Sequence, residues 1–315
     1  MDSPQAIKTR SRAVRNIGQI TKAMEAVSAT KMRKAQKLAL SSRPYAFKAL
    51  DLLSRLALST PLDTVYTRAR PVKTTLVLVV ASDRGLAGSF NTSIIRAVDN
   101  FFATDEYGSH PDHNYTLVLV GKKIFKVAEK KMKREAATFS GFGDYAKPQQ
   151  IEPLADFILK GFINGKWDRA IAISNHFRTA LKQDVLTRKL LPVDIQAIRK
   201  IVEEIVPEYG RFSEKEQLST TNHKLQTNPE EYIFEPSPQE VLEELLPHLL
   251  KMQIYHLILE ANASEHSARR VAMKNASDNA DELYSNLNLI YNKARQAAIT
   301  KEIVEIISTQ NALEA

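Results

Sequence analysis

The sequence predicts an α/β protein: a long antiparallel coiled coil of N- and C-terminal helices plus a central Rossmann-like, mostly parallel sheet domain. Three observations carry that prediction. From His248 to Ala315 there is no Gly and no Pro, so nothing in the run tells a helix to stop. At about 1.5 Å per residue, its roughly 68 residues make a rod on the order of 100 Å. Gln5 to Arg43 likewise holds a single Gly, Gly18, and no Pro. Between these ends, apolar β-branched runs alternate with amphipathic stretches, the pattern of parallel strands joined by helices.

The first helix should end at Pro44, which removes a backbone donor and disfavours helical geometry just before it. Within it, Val14, Ile17, Thr21, Met24, Ser28, Lys31, Ala35 and Leu38 alternate spacings of three and four, as a coiled-coil seam does. Several are small or polar, which suits a closely approaching partner helix; an ordinary surface helix is the other reading of this segment alone. Tyr45 to Leu58 reads as a second helical stretch. Thr74 to Ala81, Tyr115 to Val120 and Arg169 to Ser174 lack polar alternation, as strands covered on both faces do. Asp184 to Leu191 reads as an edge strand, and Thr92 to Phe102, Lys122 to Lys133 and Gln149 to Phe162 read as helices. The organisation expected is an N-terminal coiled-coil helix over 1–60, a central α/β domain over 72–192 and an insertion or mobile loop over 193–231. Residues 232–315 then supply a short strand, Tyr232 to Glu235, and the C-terminal helix, opening near Ser237 or Pro238. The second seam is Leu283, Leu287, Ile290, Ala294 and Ala297.

Charge is unevenly distributed. The chain carries a net +8, and Met1 to Arg43 alone holds ten Lys and Arg against Asp2 and Glu25, so the remainder sums to zero. A basic arm calls for an anionic partner, whether nucleic acid, membrane or an acidic protein surface. Glu240 to Ala315 has eleven acidic and seven basic residues, so the two terminal helices carry opposite net charge. With no cysteine, disulfides and thiolate metal or redox sites are excluded. The longest apolar run, Leu76 to Ala81, fits a buried strand rather than a membrane span.

Little in the chain looks catalytic. Ser82 to Asn91 (SDRGLAGSFN) follows a strand and precedes a helix, where phosphates are often held. It has neither Gly-x-Gly-x-x-Gly nor a P-loop ending, so a structural turn is the stronger reading. The seven His residues show no metal-ligand spacing, and no Gly-x-Ser-x-Gly elbow occurs. The expectation is no cofactor, no metal and no catalytic residue. A basic coiled-coil nucleic-acid-binding protein is the competing function; its arm has no aromatic before Tyr45, which weakens single-strand binding and leaves duplex binding open.

Three stretches bring in a family. ITKAMEAVSATKMRKAQ (Ile20 to Gln36), SDRGLAGSFN, and EHSARRVAMKNASDNADEL with LIYNKARQAAITKEIVEII (Glu265 to Ile307) resemble the gamma subunit of bacterial F-type ATP synthase, and YIFEPSP matches as well. The first forty residues are basic and acid-poor like an organelle transit peptide, but the resemblance begins at Ala6 and leaves no room for a removable leader. It implies a central rotor shaft that couples ion-driven rotation to ATP synthesis or hydrolysis at the alpha/beta hexamer. The implied partners are the alpha, beta and epsilon subunits and the membrane ring of c subunits, with one copy per complex. The implied location is peripheral, on the cytoplasmic side of the cell inner membrane. By position, the resemblance implies that Met24, beside Lys22, lies near the beta subunit's acidic lever. Arg269, Gln296, Thr300, Glu302 and Glu305 match coupling positions, and Arg295 with Gln296 matches those meeting a beta-subunit loop. Two departures stand out: a Gly-Ala-rich tip is replaced by Ser308 to Ala312, and the stretch from Pro192 to Tyr232 is longer than in many bacterial members. Thiol switching of the photosynthetic kind is excluded without cysteine.

Overall fold

The computed structural model describes residues 3–41, 48–49, 52–53, 55–56, 63–108, 110, 112–125, 135–144, 146–179, 182–193 and 234–313. They form helix α1 (Pro4–Ser41), strand β1 (Thr74–Val80), helix α2 (Phe90–Thr104), strands β2 (Asn114–Val120) and β3 (Glu135–Phe139), helix α3 (Pro148–Ile163), strands β4 (Arg169–Phe177) and β5 (Gln183–Leu191), and helix α4 (Pro238–Leu313). The chain divides into two compact units: Met1–Ser28 with Arg269–Ala315, and Ala29–Ala268.

In the second unit the strands form one sheet in the order β3-β2-β1-β4-β5. β1 lies in the middle, parallel to β2 from Thr74↔Asn114 to Val80↔Val120 and parallel to β4 from Thr75↔Arg169 to Val79↔Ile173. β3 runs parallel to β2, and β5 closes the other edge antiparallel to β4. The apolar runs lack alternation because both faces are covered. Leu76, Leu78 and Val80 of β1 face one apolar cluster with α3 and the first part of α4, while Val77 and Val79 face another with α2. The period-two geometry of a strand sends neighbours to opposite faces, so a strand buried on both must be apolar throughout.

The helix starts follow local chemistry. At α3, Pro148 occupies the first turn, where a missing donor does no harm, and the backbone N–H of Lys147 donates to Gln150 Oε1 at 2.8 Å. At α4, Ser237 accepts from the backbone N–H of Glu240 and donates to its carboxylate at 2.9 Å, as PSPQ suggested. Pro247 lies inside α4. α1 ends at Ser41, ahead of Pro44, with the Ser41 hydroxyl donating to the Leu38 carbonyl.

Some expectations need correction. β3 was not foreseen: Glu, Ala and Ala favour helices, and only pairing with the edge of β2 makes Glu135–Phe139 a strand. The strand expected over Tyr232 to Glu235 is absent from its described part, Phe234 and Glu235. Residues 126–133 of the expected helix Lys122 to Lys133, most of Tyr45 to Leu58 and residues 194–231 lie outside the described residues; 122–125 are helical.

In the first unit, α1 and α4 pair antiparallel. The Ser11 hydroxyl donates to Asn288 Oδ1 at 3.1 Å, and Thr21 Oγ1 lies 2.7 Å from Ser277 Oγ. Numbers rise on one helix as they fall on the other. The seams are coiled-coil seams, and Val14, Thr21, Ser28, Leu287 and Ala294 lie in them as expected, but the alternate positions are shifted by one. On α1 the buried line runs Ile7, Ser11, Val14, Gly18, Thr21, and Ile17 is 54% exposed. On α4 it runs Met273, Ser277, Ala280, Tyr284, Leu287, Tyr291, Ala294, leaving Leu283 and Ile290 outside. The reason is Gly18: a Cβ there would stand only 3.3 Å from that of Ala280. Where backbones approach that closely, small residues take the seam and larger apolar neighbours turn outward.

Candidate functional site

The resemblance-derived residues sit on the helices of the first unit, and they do not gather into one site. Lys22 is exposed and Met24 half-buried, one and three residues past the Thr21–Ser277 contact. Arg269, eight residues before Ser277 on α4 and so about 12 Å along the axis, is 6% exposed. Its guanidinium is therefore engaged inside its own chain. Arg295, Gln296, Thr300, Glu302 and Glu305 are exposed near the far end of α4. Thr300 donates its hydroxyl to the Gln296 carbonyl at 3.0 Å, and Lys301 Nζ lies 3.6 Å from Glu305 Oε1 along the same helix. Roughly 27 to 42 Å of helix separates Ser277 from these residues. The arrangement is two separate groups of side chains along the helices rather than a pocket for chemistry.

Surface character supports contact. α1 exposes Lys8, Arg10, Arg12, Arg15 and Lys22, with the Arg15 guanidinium 5.8 Å above the Tyr284 ring. Seam contacts between the helices are neutral: the Thr21–Ser277 hydroxyl pair, Ser11–Asn288 and a thin apolar line. The ion pairs Lys274–Asp278 and Lys301–Glu305 run along α4 itself.

One feature escaped the sequence reading. Past Ala298, α4 exposes Ile299, Ile303, Val304, Ile306 and Ile307. Among the described residues α1 begins at Pro4, and the seam register sets that start near Ala294, so no described part of α1 lies beside this end of α4. The signal was available in EIVEII, whose apolar residues are too dense for a single narrow seam.

The turn after β1 is occupied with holding loops together. Asp83 accepts from the backbone N–H of Lys122 at 3.0 Å and of Gly141 at 2.9 Å, and the Ser82 hydroxyl donates to the Arg84 carbonyl. A cleft of about 250 Å³ lies beside it, lined by Asp83, Arg84, Gly141, Asp144, Asn262 and Glu265 among others. Burial works to raise the Asp144 carboxyl, but Lys31 at 2.5 Å and His266 at 2.6 Å outweigh it and hold it below its usual range. Among the described residues, no group of three or more His, Asp and Glu is placed to hold a metal ion. None of the described helices is long and apolar enough to cross a membrane.

Comparisons with known proteins agree with this architecture. The family model described as ATP synthase matches residues 3–313. The chain is 36% identical over 315 residues to an ATP synthase gamma chain of Cytophaga hutchinsonii, covering 99% of each. It is 34% identical over 318 residues to that of Chlorobaculum tepidum, covering 100% of both, and 37% identical over 317 residues to that of Chloroflexus aurantiacus. Among solved structures, a chain of the Euglena gracilis mitochondrial ATP synthase OSCP/F1/c-ring superposes with a TM-score of 0.63 at 19% identity, covering 98% of this chain and 94% of that one. A chain of the Tetrahymena thermophila central stalk/c-ring gives 0.57 at 22%, covering 82% and 99%. A family match over nearly the whole chain together with full-length identity of this order places the chain in the ATP synthase gamma-chain family.

Proposed function

We propose that this chain is the central rotor shaft of a bacterial ion-driven F-type ATP synthase, coupling rotation to ATP synthesis or hydrolysis. The observation that carries the reading is the far part of α4, where Ile299, Ile303, Val304, Ile306 and Ile307 lie exposed. Contiguous exposed apolar surface of this kind marks a protein-contact region, and an enclosing ring of alpha and beta subunits would cover it. The exposed cations of α1 supply the complement to acidic partner loops. Individually such pairs are worth only about 0–1 kcal/mol, which suits contacts made and broken in each third of a turn. On this reading the chain has no catalytic groups of its own; its asymmetry makes the beta sites differ in affinity.

The remaining partners are the epsilon subunit and the ring of c subunits, with one copy per complex, peripheral on the cytoplasmic face of the inner membrane. Residues 1–60 and 232–315 serve as the shaft, and 72–192 as the sheet domain. Lys22, Met24, Arg269, Arg295, Gln296, Thr300, Glu302 and Glu305 are the proposed partner-binding and coupling residues. Arg269, being buried, would act by holding α4 in shape.

Co-expression with alpha and beta subunits tests the reading. The chain should copurify with them in an ATP-hydrolysing complex. Retention on duplex DNA with no alpha or beta would overturn it in favour of a basic nucleic-acid-binding coiled coil. At the residue level, Met24→Lys adds a cation facing acidic partners and lowers the ions pumped per ATP in the assembled enzyme. An unchanged ratio removes Met24 from the proposed set.

A further inference from the structure

Where α4 lies on the sheet of the second unit, its contact changes character along the helix. Leu250, Ile254, Leu257, Ile258 and Ala261 belong to the apolar cluster that also holds Ala170 and Ala172 of β4. The next residues of β4 on that face are Ser174 and His176, both buried, and α4 brings Glu260, with His256 one turn back, to His176. Glu260 is 6% exposed and ringed from three elements. Arg188 of β5 donates Nη1–H to Glu260 Oε2 at 2.9 Å, His176 Nδ1 of β4 lies 3.2 Å from the same oxygen, and His256 Nε2, one turn back on α4, lies 3.3 Å from Oε1. Arg188 Nη2 is also 3.1 Å from His176 Nδ1, so this nitrogen is served in either tautomer. Burial tends to raise the Glu260 carboxyl, but Arg188 and the two imidazoles prevail and hold it well below the ordinary range, so it is ionised.

Stability is a weak reason for such a cluster. Replacing a buried ion pair by packed apolar groups is commonly neutral or stabilising, and the best-attested use of buried charge is to fix register. Apolar contact is non-directional. Hydrogen bonds are short and directional: a roll of about 20° would carry a carboxylate some 6 Å off the helix axis through about 2 Å, beyond bonding reach.

We propose that Glu260 is a positioning residue: with Arg188, His176 and His256 it keys α4 to the β4–β5 hairpin, so that turning force passes between sheet and helix without slip. This rests on the rotor reading above. The test uses the assembled ATP synthase carrying either the wild-type chain or the triple variant Glu260→Leu/Arg188→Met/His176→Leu. The expected result is a melting temperature of the isolated chain at or above wild type, retained ATP hydrolysis, and about a twofold fall in ions pumped per ATP. A stable triple variant that pumps at the wild-type ratio overturns the proposal. If the triple variant does not fold, Glu260→Asp decides, since it keeps the charge and shortens its reach. Lower pumping at an unchanged melting temperature then supports the keying role, and a lower melting temperature with unchanged pumping overturns it. A wild-type chain that fails to assemble with alpha and beta counts against the rotor reading instead.

Discussion

The two units of the molecule are held by opposite means. The sheet unit buries large side chains on both faces of β1, β2 and β4, with Phe162, Leu76, Leu78, Ile94 and Ile158 all fully enclosed. Among the described residues the helix-pair unit has a core cluster of Ile7, Val14, Ala280 and Leu287, with Tyr284, Tyr291 and Ala294 packed around it. The sheet unit therefore draws on buried area, at about 25 cal/mol per Å² of apolar surface. The helix pair relies on close backbone approach and a few neutral hydrogen bonds. The thin seam turns side chains such as Ile17, Ile20 and Val27 outward, while the sheet core encloses its large side chains.

Breaking the sheet core should have the largest effect. Phe162 is fully buried, with the Arg70 guanidinium 4.1 Å above its ring. Phe162→Ala should cost about 3–5 kcal/mol, read as a lowered denaturation midpoint of the isolated chain. The helix pair should be most sensitive at Gly18. Gly18→Leu drives a side chain into Ala280 and should cost about 1–3 kcal/mol, whereas for Gly18→Ala the gain in helix propensity, about 1 kcal/mol, offsets a contact of 3.3 Å that must relax slightly. Equal effects of Leu and Ala in a thermal melt would refute the close-approach account of the seam.

The smaller effects sharpen the contrast. One hydroxyl of the Thr21–Ser277 pair donates across the seam while the other donates to its own helix, to the carbonyl of Gly18 or of Met273. Thr21→Val leaves Ser277 a partner at Met273, so it should cost only about 1 kcal/mol, measurable by chemical denaturation. In the sheet unit, Asp144 has a carboxyl depressed below its ordinary value of 3.8 by Lys31 and His266 against the opposing effect of burial. A depressed folded-state value means that its contribution is present above pH 3.8 and is lost as pH falls through the lower folded value. Asp144→Asn should therefore flatten the acid limb of melting temperature against pH, and an unaltered limb would remove this tie from the account.

How much could be read in advance differs by element. β1, β2 and β4 were legible because burial on two faces demands continuous apolar runs, and Pro44, Ser237 and Pro238 marked helix ends by their own backbone chemistry. β3 was illegible because EAATF has no strand character apart from its neighbour. The seam was legible in period and at every second position: Ile17 looked like a seam residue where Gly18 takes the place, since one helix alone does not show how near its partner comes. Glu260 resembled any solvated glutamate until β4 and β5 brought His176 and Arg188 to it.

The sequence by itself determined the long terminal helices and the strands β1, β2, β4 and β5, that the ends pair with small residues between them, and which family the chain belongs to, because these depend on local backbone preference and on the order of side chains. The tertiary structure alone decided the alternate seam positions of the helix pair, the edge strand β3 and the charge cluster around Glu260. Each of these depends on distances between residues far apart in the chain, and such distances exist only once the backbone has closed on itself.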